Sequence, residues 1–414
     1  MHGTSFKRSP KLDGVCYDIR GPVLDEANRL EAAGHTILKL NIGNPAPFGF
    51  MPPDEVSTDV VRNLQYAAGY VDSQGLFAAR KAVVQYYQTK GVMDLDIDQV
   101  FIGNGVSELI VMAMQALLDT DDEVLIPAPD YPLWTAATRL AGGNPVHYPC
   151  DEAQHWRPDF EALQANLSEK TRALVLINPN NPTGAVYDEQ TVIALCEFAR
   201  ANRLILFADE IYDKILYDEC IHQHAMLHAT DMVSVTFSGL SKNYRAAGYR
   251  VGWMVVRDPL AQATDYQQGL KILASMRLCS NVPAQFAVQT SLMGFQSIQT
   301  LVQPGGRLRT QRDLAWQRVN AIPGLSCVKP QGALYVFVRI DREIYPIVDD
   351  EGLMLQILRQ EKILLVHGRG FNWPTPDHFR IVFLPHVEQL NQAFDGLERF
   401  FARLRAQTPN EPKE

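Results

Sequence analysis

The chain has 414 residues, is 46% hydrophobic and 21% charged, and carries a formal net charge of -9. That is enough chain for two or three globular domains, while the acidic balance, with no Lys/Arg-rich run, argues against a nucleic-acid footprint. Six widely scattered cysteines without a Cys-x-x-Cys pair exclude a disulfide scaffold and a zinc ribbon and suit a reducing cytoplasm. No apolar stretch follows the basic residues near Met1, so no signal peptide is expected. The longest greasy run, Leu109 to Leu118, is about half of what a bilayer requires.

Tyr17-Asp-Ile-Arg-Gly-Pro22 leads into an amphipathic helix, Val23 to Gly34, followed by a strand-like Ile37–Leu40 and a turn punctuated by Gly43 and Pro45. Tyr70-Val-Asp-Ser-Gln-Gly75 precedes a helix from Leu76 to Lys90. Phe101-Ile-Gly-Asn-Gly-Val-Ser-Glu108 reads as a short strand, a glycine turn and the start of a long apolar helix. The free N–H groups and positive dipole end of such a helix make Gly105, Val106 and Ser107 an anion site. A dinucleotide fingerprint lacks its third glycine here, which disfavours a dehydrogenase.

The buried strand Val124–Ile126 delivers a rigid loop, Pro127 to Trp134, and Ala173–Ile177 delivers Asn178-Pro-Asn-Asn-Pro-Thr-Gly184, a loop full of turn formers. Leu204–Ala208 then presents Asp209-Glu-Ile-Tyr212. A carboxylate ending a wholly apolar strand is costly to bury without a cationic partner, and a protonated ring nitrogen is such a partner. Tyr212, three residues on, is expected on the same side of a starting helix. His222, His224 and His228 include a helical i, i+4 pair, but no clustered carboxylate or cysteine completes a recognisable metal set, so no metal is expected.

Met232–Phe237 is a further buried strand, and Lys242 follows it among Ser238, Gly239 and Ser241, with Arg250 eight positions later. Open α/β sheets bind ligands outside the carboxyl ends of their strands. A lysine so placed, beside an arginine fork suited to phosphate, is what condensation with a phosphorylated aldehyde cofactor needs. Gly239-Leu-Ser-Lys-Asn243 imitates a hydrolase nucleophile elbow but ends in Asn where Gly is required. Beyond Trp253 come helices through Gly294, a break at Pro304–Gly306 and a helix from Arg307 to Ala321. Strands follow at Ala333–Val338, Ile363–Val366 and Phe379–Phe383, then a helix, Val387 to Arg405, and a polar tail, Thr408 to Glu414, expected to be disordered. Arg380 alternates with apolar neighbours, a half-buried charge well suited to bidentate recognition of a carboxylate. Strands alternating with helices over residues 60–300 predict an α/β fold with a mainly parallel sheet covered on both faces. Residues 1–59 and 301–414 are expected to form a second, smaller α/β domain.

Ser241-Lys242 followed by Ala247-Gly-Tyr-Arg-Val-Gly-Trp253 resembles the cofactor-lysine signature of the fold-type I pyridoxal-phosphate aminotransferases, the aspartate aminotransferase superfamily. The likeness runs from about Tyr17 to the last helix and is strongest to the bacterial glutamate–pyruvate (alanine) aminotransferase group. It implies pyridoxal 5'-phosphate as cofactor, L-amino acids and 2-oxo acids as substrates, and a homodimer. The expected reaction is L-alanine plus 2-oxoglutarate giving pyruvate plus L-glutamate. Aspartate, aromatic or branched donors, or a lyase on the same fold, are the alternatives.

Residue by residue, the resemblance makes Lys242 the catalytic lysine and Asp209 the partner of the ring nitrogen. Asn181 and Tyr212 are the partners of the ring oxygen, and Tyr131 is the stacking ring, with Trp134 as the alternative. It brings the Gly43 backbone and Arg380 to the substrate α-carboxylate, Asn181 beside them, and Tyr70 to the cofactor phosphate of the neighbouring subunit. Many relatives carry a phosphate-binding serine where Gly239 stands, so that hydroxyl falls to Ser238 or Ser241, with Ser241 favoured. Tyr17 and Arg20 are the candidates for holding a distal substrate carboxylate, in a segment that folds over the substrate in the alanine aminotransferases.

Overall fold

The structure is a computed structural model and describes residues 6–12, 15 and 21–407; Tyr17, Arg20 and the tail from Thr408 lie outside the described residues. The described strands are β1 (Leu38–Lys39), β2 (Val100–Gly103), β3 (Glu123–Ala128), β4 (Asn144–Asp151), β5 (Arg157–Pro158), β6 (Thr171–Ile177) and β7 (Ile205–Asp209), followed by β8 (Ser234–Gly239) and β9 (Gly252–Arg257). After these come β10 (Leu325–Ser326), β11 (Tyr335–Ile340), β12 (Ile363–Leu364), β13 (Val366–His367) and β14 (His378–Val382). Eight of them form one sheet in the order β2-β9-β8-β7-β6-β3-β4-β5. Its centre, β4-β3-β6-β7-β8, is parallel, as expected; β9 runs antiparallel to both of its neighbours, and β5 antiparallel to β4.

The apolar runs are continuous because both faces of this sheet are covered. Successive side chains on a strand alternate between faces. Val175, Phe207 and Val235 pack on one side with Ile110 and Met114 of a helix, Val106–Leu117, while Leu174, Leu176 and Leu206 pack on the other with Val192 and Leu195. The register pairs Ile177 with Asp209 and Asp209 with Phe237, so β6 and β7 end level with one another and β8 runs two residues further, to Gly239. Three loops from three separate stretches of sequence therefore open at one edge.

The second, smaller part is built on an antiparallel sheet, β10-β11-β14-β13. The N-terminal segment joins it through β1, which lies parallel to β12 with Leu38 against Ile363. Val23, Leu40 and Phe50 share one core with Leu308, Val336, Phe379 and Phe401. The helix expected from Arg307 to Ala321 is present with those bounds. Among the described residues no helix is long and apolar enough to cross a membrane.

Candidate active site

A cavity of about 380 Å3 lies at the carboxyl ends of β6, β7 and β8, closed from the far side by the Gly43 segment and by β11 and β14. Eleven residues expected at the site line it: Gly43, Val106, Ser107, Tyr131, Asn181 and Asp209 as one group, with Tyr212, Ser241, Lys242, Arg250 and Arg380.

Asp209 is the last residue of β7 and only 3% exposed. Its Oδ2 accepts from Trp134 Nε1 at 3.2 Å and its Oδ1 from the Ile211 amide at 3.3 Å. Burial raises its carboxyl to about pH 6, against the lowering effect of those two donors. The signs follow from that shift. A folded-state value above the unfolded one means the ionised form is disfavoured by folding, so the penalty is absent near pH 4 and grows as pH rises to about 6. In cofactor-free protein, the stability of Asp209→Asn relative to wild type should therefore rise by about 3 kcal/mol between pH 4 and pH 7, on top of a pH-independent cost of about 1 kcal/mol for the acceptor the amide lacks. Urea unfolding at the two pH values measures this; a pH-independent difference would mean the carboxylate is already compensated.

Tyr212 was expected on a helix, but residues 211–214 form a turn. The turn is held by Asn243, whose Oδ1 accepts from the Lys214 amide and whose Nδ2 donates to Asp213, so tertiary partners replace the helical ladder. The outcome for the side chain is the same: Tyr212 reaches the cavity, where its hydroxyl lies 2.6 Å from that of Tyr335.

Lys242 Nζ donates to the Gly43 carbonyl at 2.6 Å, which ties the end of the large sheet to the N-terminal segment across the cavity. Gly43 was expected for close approach of the backbone to a substrate. The structure supplies a more local need, since a Cβ there would sit 2.3 Å from the Tyr335 hydroxyl.

At the opposite wall the helix Val106–Leu117 begins with Gly105 as its N-cap, at φ 81 and with no side-chain cap bond. Its free amide groups are an anion site open to the cavity at Val106 and Ser107. Gly105 does not itself line the cavity. A Cβ on it would lie 2.3 Å from Arg250 Nη2, so the glycine lets the guanidinium lie against the helix start. Arg250 is fixed there by the carbonyls of Ala247 (2.8 Å) and Asn104 (3.0 Å). Of the two candidate hydroxyls, Ser241 lines the cavity, whereas Ser238 is buried within β8.

Arg380, on β14 and 2% exposed, donates from Nη1 to Asn181 Oδ1 at 2.8 Å and from Nη2 to the Asn41 carbonyl. Its guanidinium lies 4.5 Å from the ring centres of both Tyr335 and Phe371, which fixes its plane. Asn181 thus meets Arg380 as well as the cavity. Its loop is shaped from within: Asn180 Oδ1 accepts from the Thr183 hydroxyl at 2.8 Å, and Asn178 Oδ1 from the Tyr187 amide at 3.0 Å.

Sequence reasoning missed Tyr335 and gave Trp134 the wrong kind of candidacy. Trp134 is fully buried and supports Asp209 from behind, whereas Tyr131 lines the cavity. Tyr335 carried one usable signal, a phenol within the apolar run Ala333–Val338, which must find a polar partner when buried. Tyr70 is 81% exposed and outside the cavity of its own chain.

The sequence pattern described as "Aminotransferase class I and II" matches residues 35–397, and the chain belongs to that family. It is 58% identical over 400 residues to the glutamate-pyruvate aminotransferase AlaA of Haemophilus influenzae, covering 97% of this chain and 99% of that one. It is 56% identical over 402 residues to an alanine aminotransferase of Mycobacterium tuberculosis, covering 97% and 94%. Among solved structures, an Escherichia coli aminotransferase superposes with a TM-score of 0.95 at 56% identity, over 96% of this chain and 99% of that one. The alanine aminotransferase of Pyrococcus furiosus superposes with a TM-score of 0.90 at 35% identity, over 96% and 100%. Enzymes of this family and fold use pyridoxal 5'-phosphate.

Proposed function

We propose that the chain transfers the amino group of L-alanine to 2-oxoglutarate, giving pyruvate and L-glutamate, with pyridoxal 5'-phosphate in the cavity around Lys242. The observation that carries the reading is Asp209, a carboxylate 3% exposed at the cavity wall whose hydrogen-bond donors among the described residues, Trp134 and the Ile211 amide, are neutral. A protonated pyridine nitrogen fits that deficit. The uncapped helix start with Arg250 and Ser241 fits a phosphate at the other wall. When bound, the cofactor supplies an aldehyde that takes over the amino group and a ring that accepts the electrons left by the departing α-proton.

The chain's own residues do the rest. Lys242 Nζ would hold the cofactor aldehyde covalently and, with its amine free, would carry the proton to and from the substrate α-carbon. Asn181 and Tyr212 would hold the ring oxygen, Tyr131 would cover the ring face, and Val106 and Ser107 would bind the phosphate together with Ser241 and Arg250, with Gly105 giving Arg250 its place at the helix start. Arg380 binds the α-carboxylate through a guanidinium whose plane Tyr335 and Phe371 already fix, beside the Gly43 backbone. A group that recognises only the α-carboxylate defines a 2-amino acid and no more, so the choice of side chain falls to Tyr17 and Arg20. Residues 60–300 would form the cofactor-binding domain, with 1–59 and 301–414 closing over the substrate. Tyr70, exposed beside the exposed Leu64 and Tyr66, suits burial by a second copy, so the working form would be a homodimer with Tyr70 reaching the partner's phosphate. The scattered cysteines suit the cytoplasm.

The direct test is amino transfer by purified protein saturated with cofactor. Pyruvate and glutamate should appear in equal amounts from L-alanine and 2-oxoglutarate, with the parallel double-reciprocal lines of a two-half reaction. A 2-oxo acid released without equimolar glutamate would mean a lyase, and faster turnover of aromatic or branched donors would overturn the alanine assignment. Arg20→Ala should lose about tenfold more activity with glutamate than with alanine, because an unpaired buried carboxylate costs several kcal/mol. Equal losses with both would make Arg20 a structural part of the segment.

A further inference from the structure

Asp209 and Glu210 are consecutive, yet their carboxylates have separate partners. Asp209 meets Trp134 at the cavity described above; Glu210, 1% exposed at its side chain, meets a pair of histidines. Glu210 Oε1 accepts from the Ala225 amide at 2.9 Å, which turns Oε2 toward His224 Nδ1 at 2.6 Å and His222 Nε2 at 3.2 Å. The two imidazoles stand edge to face with centroids 4.5 Å apart. One ligand atom from each of Glu210, His222 and His224 lies within 4.8 Å of the other two. The i, i+4 pair His224/His228 is not the pair that converges, and the missing carboxylate comes from the strand end twelve residues before His222.

A proton on His224 satisfies only part of this cluster. It explains the contact from Nδ1 to Oε2 and leaves His222 unexplained. The His222 side chain is 4% exposed, and among the described residues both of its buried ring nitrogens have no hydrogen-bond partner; Nε2 is near Oε2 but lacks hydrogen-bond geometry. Buried polar groups are rarely left so. A cation bound among the three groups uses the Nε2 lone pair, and the Ala225 amide already orients the carboxylate from behind, as outer contacts do in metal sites.

The cluster is also reachable. His222 and His224 line a second cavity, of about 850 Å3, which Lys90 and Lys214 share. Those two cations are occupied by ring faces: Lys90 Nζ lies 5.4 Å from the centre of Tyr86, and Lys214 Nζ lies 4.7 Å from Tyr86 and 5.0 Å from Tyr244. Lys214 also donates to the Tyr244 hydroxyl at 2.7 Å.

We propose that Glu210, His222 and His224 form a binding site for a divalent cation of the zinc class, separate from the amino-transfer cavity. Two imidazoles and a carboxylate are a borderline donor set suited to Zn2+, with a fourth position left for water from the cavity. The site carries no reaction; by holding Glu210 it anchors the chain next to Asp209.

The test is zinc uptake by full-length, cofactor-loaded protein that has been stripped with a chelator and dialysed into metal-free buffer at pH 7.5. Wild type should take up about one Zn2+ per chain with micromolar or tighter affinity, and Co2+ in its place should give the visible absorption of a four-coordinate nitrogen/oxygen site. His222→Ala and the less disruptive His222→Gln should each weaken uptake by about tenfold or more and abolish the Co2+ band. Wild type that binds no Zn2+ at tens of micromolar, or a folded His222→Gln variant that binds as wild type does, overturns the site. The Co2+ spectrum of wild type needs no variant, so a histidine substitution that fails to fold does not remove the test: a featureless spectrum overturns the site by itself. Amino transfer is not the readout, so failure here and failure of the proposed reaction are distinguishable.

Discussion

Lys242→Ala should lose amino transfer by about a thousandfold or more while remaining folded, because one side chain provides both the covalent attachment and the movement of the α-proton. Lys242 is half-buried, and among the described residues its side chain has one hydrogen bond, to the Gly43 carbonyl. Removing it should cost about 1 kcal/mol of stability. The variant's thermal unfolding should thus stay close to that of wild type, and the cofactor should still bind noncovalently through the helix start, Arg250 and Asp209. Steady-state turnover with alanine and 2-oxoglutarate, set beside a melting curve, checks both halves. Turnover within tenfold of wild type would remove Lys242 from the reaction; a collapse in stability would make it a structural bridge to the N-terminal segment.

Asp209→Asn carries the second large effect, and it should fall on kcat. The amide is close to isosteric but has one acceptor oxygen, so it can keep the contact with either Trp134 or the Ile211 amide and not both, a loss of about 1 kcal/mol that leaves the packing of β7 against the Val106–Leu117 helix in place. What it cannot do is hold a proton on a ring nitrogen by charge. That interaction strengthens as the ring takes up electrons, so its loss weighs on the transition state more than on the bound substrate. A loss of about 3 kcal/mol corresponds to roughly a hundredfold in kcat. The same substitution removes the burial penalty of the ionised carboxyl from the cofactor-free fold at neutral pH. A group that costs stability and serves turnover is the signature of a site residue, and a change confined to KM would contradict this role.

The parts of the molecule legible in the sequence are those whose cause is local. Leu206 and Ala208 lie in the unbroken apolar run Leu204–Ala208, and Val235 and Phe237 in a run broken only by the small hydroxyl residues Ser234 and Thr236, because their sheet is covered on both faces, and such runs stand out without any knowledge of the fold. Asp209, Lys242 and Arg380 were equally visible, as charges at or within apolar strands that need a reason to be there. What failed to show was set by distant partners. The turn carrying Tyr212 gave no local sign that Asn243 would hold it open. Tyr335 looked like one more strand residue until Gly43 and Tyr212 closed on it from two other parts of the chain. Strand-like Ile363–Val366 divides at Leu365 between two sheets, β12 pairing with β1 and β13 with β14. Glu210 was passed over beside Asp209 because its histidines approach by a loop of no regular period.

The claim on which the rest depends is that the cavity at the ends of β6, β7 and β8 holds pyridoxal 5'-phosphate on Lys242. The measurement that reaches it most directly is borohydride reduction of the protein after incubation with the cofactor, followed by peptide mapping by mass spectrometry. The expected result is one stable adduct per chain, on the peptide containing Lys242, absent from Lys242→Ala and blocked by prior reaction with L-alanine. An adduct on another lysine, or none under conditions that support turnover, would contradict the account.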